Sequence, residues 1–123
     1  MYRFQMEQRV LSVGDVRVGG QPGKKRTMLV GSLFYPRHSV VLDPRRGTLD
    51  HARLTDRLDR YLEAVRACAC PSALMLYAES EEATRPYLEA VCDRVTGPLF
   101  ADAGTFQVRS AFLRNAEEMG LLD

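Results

Sequence analysis

Ser72-Ala73-Leu74-Met75-Leu76-Tyr77-Ala78 is an apolar run of strand length, followed at once by Glu79-Ser80-Glu81-Glu82. Near-continuous apolar sequence marks a strand covered on both faces, as in a parallel sheet. The acidic residues behind it complement the positive end of a helix dipole, so Ser80-Glu81-Glu82 reads as a helix start. Tyr87, Leu88, Val91 and Val95 give this helix its apolar face, and Gly97-Pro98 closes it. Pro86 removes a backbone hydrogen bond beyond the first turn and predicts a late start or a mild kink.

The same pattern repeats on either side. Upstream, Thr27 to Tyr35 (TMLVGSLFY) is a second strand, followed by a polar loop from Pro36 to Thr48. Leu54, Leu58, Tyr61, Leu62, Val65 and Ala69 then fall at helical spacing, which predicts a helix over His51 to Ala69 capped by Asp50 and stopped by Pro71. Downstream, Leu99-Phe100-Ala101 is a short apolar strand. Asp102-Ala103-Gly104 follows it, and Val108, Ala111, Phe112, Ala116 and Met119 keep helical spacing up to Gly120.

Residues 24–123 therefore read as three β/α units. Before them, Leu11-Ser12-Val13 and Val16-Arg17-Val18 alternate at the strand period around Gly14-Asp15, which predicts a tight hairpin. Gly19-Gly20-Gln21-Pro22-Gly23 ends all periodicity, so residues 1–23 form a hairpin and a Gly/Pro turn within one domain spanning 1–123. Regular strand-helix alternation specifies a parallel α/β sheet, either doubly wound or closed into a β/α barrel. Both use the same unit, and three units do not reveal strand order. An eight-unit barrel needs about 250 residues, so on that reading the chain is an incomplete TIM-type barrel.

Composition narrows the partners. Seventeen Lys and Arg against 16 Asp and Glu leave a formal net charge of +1, without the basic excess that marks a nucleic-acid binder. No stretch reaches the roughly 18 consecutive apolar residues of a membrane span, and the opening MYRFQMEQR interleaves charged and apolar residues, unlike a secretory signal. The expected location is the cytoplasm, with no direct membrane insertion. Cys68, Cys70 and Cys92 are an odd set with no nearby histidine to complete a zinc site; reduced thiols and no metal are expected.

In either parallel architecture the chemistry gathers at the C-terminal ends of the strands. Asp102 follows an apolar strand with two small residues beside it that leave room for a ligand; it is a ligand group or a loop cap. Glu79 stands after the central strand in the same way, as a ligand contact or a helix cap shared with Ser80. Arg37 and His38, with Arg45-Arg46 nearby, either give the mouth positive charge for an anionic ligand tail or form a solvated loop. No nucleophile elbow, HExxH, phosphate loop or EF-hand spacing is present, and no catalytic residue emerges.

Val18-Gly19-Gly20-Gln21-Pro22-Gly23, then TMLVGSLFY with His38 three positions on, resembles the opening of the H-subunit family of tetrahydromethanopterin S-methyltransferases. Asp43 to Asp50 (DPRRGTLD) and Pro98 to Arg109 (PLFADAGTFQVR) are similar to later blocks of that family, so the likeness runs along essentially the whole chain. The family resembles the wider group of pterin-binding barrels, in which the third strand ends in an Asp that contacts the pterin. Asp102 matches that position, although Ala103-Gly104 stand where hydroxyl residues are common.

The resemblance implies methyl transfer, in one-carbon metabolism, between a tetrahydropterin (tetrahydromethanopterin or tetrahydrofolate) and the corrinoid of a partner protein. It further implies a pterin site at Asp102 and other components of a methyltransferase complex as partners. Glu79, by its own strand-end position, is the second candidate for that pterin site, and the exposed apolar face of an open half-barrel predicts self-association. The alternative is a non-catalytic, truncated half-barrel that serves as an assembly module.

Overall fold

A computed structural model of the chain describes residues 2–122. Met1 and Asp123, which bound the expected domain, lie outside the described residues. The elements in chain order are β1 (Val10–Val13), β2 (Val16–Gly19), β3 (Leu29–Leu33), β4 (Val41–Asp43), β5 (Thr48–Leu49), α1 (His51–Cys68), β6 (Ser72–Ala78), α2 (Glu81–Val91), β7 (Leu99–Ala103) and α3 (Phe106–Glu118). β3, β6 and β7 form a parallel sheet in that order, with β6 in the middle, while β1-β2 and β4-β5 are separate antiparallel pairs. The fold is thus mixed α/β, with three strand-helix units behind an N-terminal hairpin.

The hairpin turn uses Gly14 at φ 57°, the positive φ that a two-residue loop with Gly first demands. A Cβ on Gly14 would sit 3.1 Å from Pro98. The hairpin therefore lies at the N-terminal end of β7, away from the strand ends where chemistry collects.

Each helix is stopped and started by local chemistry. The Asp50 carboxylate accepts the Arg53 N–H at 3.1 Å to cap α1, and Ala69 closes it in the left-handed conformation. Ser80 caps α2 through the Ala83 N–H, and Thr105 caps α3 through the Val108 N–H. α2 starts directly after its cap and runs through Pro86, so the expected late start is not found; tertiary packing of Ala83, Tyr87, Leu88 and Val91 outweighs the lost bond to the Glu82 carbonyl.

The core lies between the sheet and all three helices. Leu33, Leu74, Leu76, Ala78 and Ala103 of the strands pack with Leu54 and Leu58 of α1, Tyr87, Leu88 and Val91 of α2, and Val108, Phe112 and Ala116 of α3. Leu58, Leu74, Leu76 and Phe112 are fully buried, each contributing about 1.5–3 kcal/mol by the transfer of its apolar surface. Because all three helices share one face, the other face, carrying Val30, Ser32, Met75, Tyr77, Phe100 and Asp102, is left half open. Continuous apolar sequence predicts β3 buried on both faces; instead Leu29 and Val30 are 41% and 45% exposed, since β3 is an edge strand.

Boundaries differ from the sequence reading in three places that matter. α2 ends at Val91 with Cys92 as its cap, so Val95 and Gly97-Pro98 lie beyond the helix, in the turns that lead to β7. β7 extends to Ala103 because its ladder with β6 continues through Tyr77↔Asp102 and Ala78↔Ala103, so Asp102 is a strand residue and not the first residue of a loop. The expected polar loop from Pro36 to Thr48 contains β4 and the start of β5, which pair with an irregular register between Val41 and Asp43.

Candidate functional site

Asp102 points to the open face of the sheet at the C-terminal end of β7, half-buried. Its carboxylate receives no hydrogen bond and joins no ion pair among the described residues. A partly dehydrated carboxylate without a protein donor is a poised acceptor, because the next N–H to reach it replaces only residual water. Directly across the ladder stands Tyr77, and one row below Ser32, Met75 and Phe100 are aligned across the three strands. Successive strand residues alternate faces, so these five side chains share one surface that is polar at the strand ends and apolar beneath.

The residue after β3 leaves space above this surface. Strand alternation would carry Phe34 onto the open face beside Tyr77, but Phe34 adopts φ 65° and its ring stacks on Tyr87 of α2, with centroids 4.2 Å apart. A left-handed backbone at a bulky residue costs about 1–3 kcal/mol and persists only where its surroundings impose it. Here the Tyr87 stack and the Phe34 N–H, which donates to His38 Nδ1 at 3.0 Å, hold it.

That hydrogen bond decides the position of His38. The imidazole is 6% exposed and stacks on Tyr35 with centroids 4.3 Å apart. Burial, and then the Arg57 charge, hold its pKa below the ordinary 6.5, so it is neutral at physiological pH, with Nδ1 occupied as an acceptor. Arg37 beside it is exposed, at φ 69°. Neither residue is linked to Asp102 by a hydrogen bond or an ion pair among the described residues.

Glu79 is exposed just past β6, and the cap of α2 is Ser80. The Glu79 charge, together with Asp43, reinforces burial in pushing the Tyr87 phenol up to about 12. Asp43 itself folds the β4-β5 turn by accepting the Arg45 and Arg46 N–H groups at 3.0 and 3.3 Å, and the Ser80 hydroxyl bonds the Arg45 carbonyl. Arg109, in the first turn of α3, donates to the Ala103 carbonyl at 3.0 Å and so pins the backbone beside Asp102.

Of the sequence-derived candidates, Asp102 stands on the open face, while Glu79, Arg37 and His38 belong to the loops around it. Tyr77 is a candidate on the same face that sequence reasoning misses. The signal that finds it is the β6-β7 register, which a single sequence does not carry. The three cysteines are free, and burial with the neighbouring Asp93 carboxylate raises the Cys92 thiol pKa, against thiolate formation. Among the described residues no cluster of three or more His, Cys, Asp or Glu could hold a metal ion, and no helix is long and apolar enough to cross a membrane.

Comparison with known proteins gives one consistent result. Residues 6–123 match the family described as tetrahydromethanopterin S-methyltransferase MtrH subunit. The chain is 33% identical over 123 residues to the H subunit of tetrahydromethanopterin S-methyltransferase from Methanothermobacter thermautotrophicus, covering 100% of this chain and 40% of the relative. It is 32% identical over 120 residues to the same protein of Methanocaldococcus jannaschii, covering 98% and 38%, and 33% identical over 117 residues to that of Methanopyrus kandleri, covering 95% and 36%. The chain thus spans about two fifths of the length of these curated relatives.

Proposed function

The chain belongs to the MtrH subunit family of tetrahydromethanopterin S-methyltransferases, and from that premise we propose that it contributes three β/α units to a pterin-binding TIM-type barrel in the cytoplasm. In this reading the barrel transfers a methyl group between a tetrahydropterin and the corrinoid of a partner protein, with other components of a methyltransferase complex as further partners. The observation that carries it is the family match across residues 6–123, with a half-buried Asp102, unpaired among the described residues, at the third strand's end.

The chemistry asks more for position than for reactive side chains. A methyl on a tertiary ring amine is a poor electrophile, so its transfer to a corrinoid needs that nitrogen protonated or polarised; the reverse needs a free amine aligned with the methyl. Asp102 meets the first requirement of either direction by fixing the ring. Its carboxylate accepts the amino and ring N–H donors at the pterin edge, and charged hydrogen bonds of this kind contribute roughly 1.5–3 kcal/mol. The positive φ of Phe34 keeps a bulky ring off the face on which the pterin lies.

The test is methyl transfer by the protein expressed from its native reading frame, supplied with cob(I)alamin kept reduced by an added chemical reductant and either methyl-tetrahydromethanopterin or methyl-tetrahydrofolate. Methylation of the cobalamin above a protein-free control is expected with one of the two. No transfer with either, by protein shown to be folded, contradicts the proposal.

A further inference from the structure

We infer that Tyr77 is a second pterin-positioning residue, its phenol donating to the 4-oxo oxygen while Asp102 accepts the neighbouring N–H groups; this deepens the proposed function and rests on it. Three observations lead there. Tyr77 and Asp102 are register partners on adjacent parallel strands, about 4.8 Å apart at the backbone, with both side chains on the face that no helix covers. Neither side chain makes a hydrogen bond among the described residues, so a donor and an acceptor stand side by side unspent. The row beneath them is Met75 and Phe100, again in register, an apolar floor on which a flat ring can lie.

A pterin's 2-amino-4-oxo edge presents the complementary pattern: N–H donors next to a carbonyl acceptor. A carboxylate alone reads only the donors. The phenol of its register partner on the adjacent strand is the donor that reads the acceptor. The pair would thus distinguish a 4-oxo pterin from a ring that lacks the oxygen, since a site built to hydrogen-bond a group rejects the analogue without it. Three nearby polar groups are already engaged: His38 Nδ1 by the Phe34 N–H, Arg109 by the Ala103 carbonyl, and Ser80 by the Arg45 carbonyl.

The experiment is a two-by-two titration of the protein from its native reading frame, wild type and Tyr77→Phe, with tetrahydropterin and with the analogue lacking the 4-oxo oxygen. Tyr77→Phe keeps the ring, so packing and folding survive. The expected result is that the variant binds the tetrahydropterin about five- to tenfold more weakly, the size of one hydrogen bond, but binds the analogue as wild type does. Equal losses with both ligands would make Tyr77 a packing residue and overturn the inference. So would no loss with either, while the proposed function stands because wild type still binds. If wild type fails to bind the tetrahydropterin at all, both fall together.

Discussion

His38 holds the turn after β3 by accepting the Phe34 N–H at Nδ1, and a protonated imidazole has no lone pair there to offer. Its folded pKa lies below 6.5 because of burial and then the Arg57 charge, so on acidification the unfolded chain takes up the proton first. The linked stability is fully present above about pH 6.5 and is lost as the pH falls through the lower folded value. Urea unfolding at about pH 7.5 and about pH 5.5 should show lower stability at the acidic value, and His38→Ala should flatten that difference. The same variant should cost about 1–3 kcal/mol at neutral pH, from the buried N–H left unpaired; an unchanged midpoint would contradict the role. Residue types and strand ends pick out Asp102 and His38 in the sequence. What each does depends on partners that periodicity does not reveal: His38 is a loop clamp four residues from the N–H it accepts, and Tyr77 becomes visible only once β6 and β7 are aligned.

Among the elements, the β4-β5 pair shows where sequence reading stops. Three residues facing two are too few for alternation to register, and Asp43-Pro44-Arg45-Arg46-Gly47 reads simply as a polar turn. The pair is nonetheless docked on α2: a Cβ on Gly47, at φ 76°, would sit 2.9 Å from the Ala83 Cα. Gly47→Ala combines a left-handed backbone with a backbone clash, so a loss of about 2–4 kcal/mol is expected, measured by thermal or denaturant unfolding. A change within about 0.5 kcal/mol would mean the turn is free of α2. The α2-α3 contact is set by another buried group. Thr84, 0% exposed, donates to the Glu81 carbonyl at 2.7 Å and accepts from Asn115 Nδ2 at 2.8 Å. Thr84→Val keeps the volume and strands the Asn115 amide, for an expected loss of about 1–3 kcal/mol by the same measurement. α1 and β6 are legible almost to the residue, with a cap or a breaker beside each, and the end of α3 is marked by Gly120.

At the scale of the whole molecule, β3 and β7 are both sheet edges with free backbone groups, and the face away from the helices exposes Val30. Such edges pair with whatever presents a complementary strand. The 123-residue polypeptide is therefore expected to self-associate, and a stable compact monomer by sedimentation at micromolar concentration would count against it. The alternation of strands and helices specifies a parallel sheet with its helices, and the structure bears that out. Whether such a sheet closes into a barrel depends on strand number and shear, which three strands do not define.

The proposed binding of a tetrahydropterin through Asp102 is read out in the affinity of that residue's variant. Tetrahydromethanopterin is titrated into wild type, Asp102→Asn and Glu79→Gln, each expressed from the native reading frame. Asp102→Asn exchanges an acceptor oxygen for a donor at nearly constant volume, so folding is retained and affinity should fall by about one to two orders of magnitude. Glu79→Gln, at an exposed position beyond the last rung of the β6-β7 ladder, should stay close to wild type. Equal affinity in wild type and the Asp102 variant would contradict the account and leave Asp102 a strand residue of the scaffold.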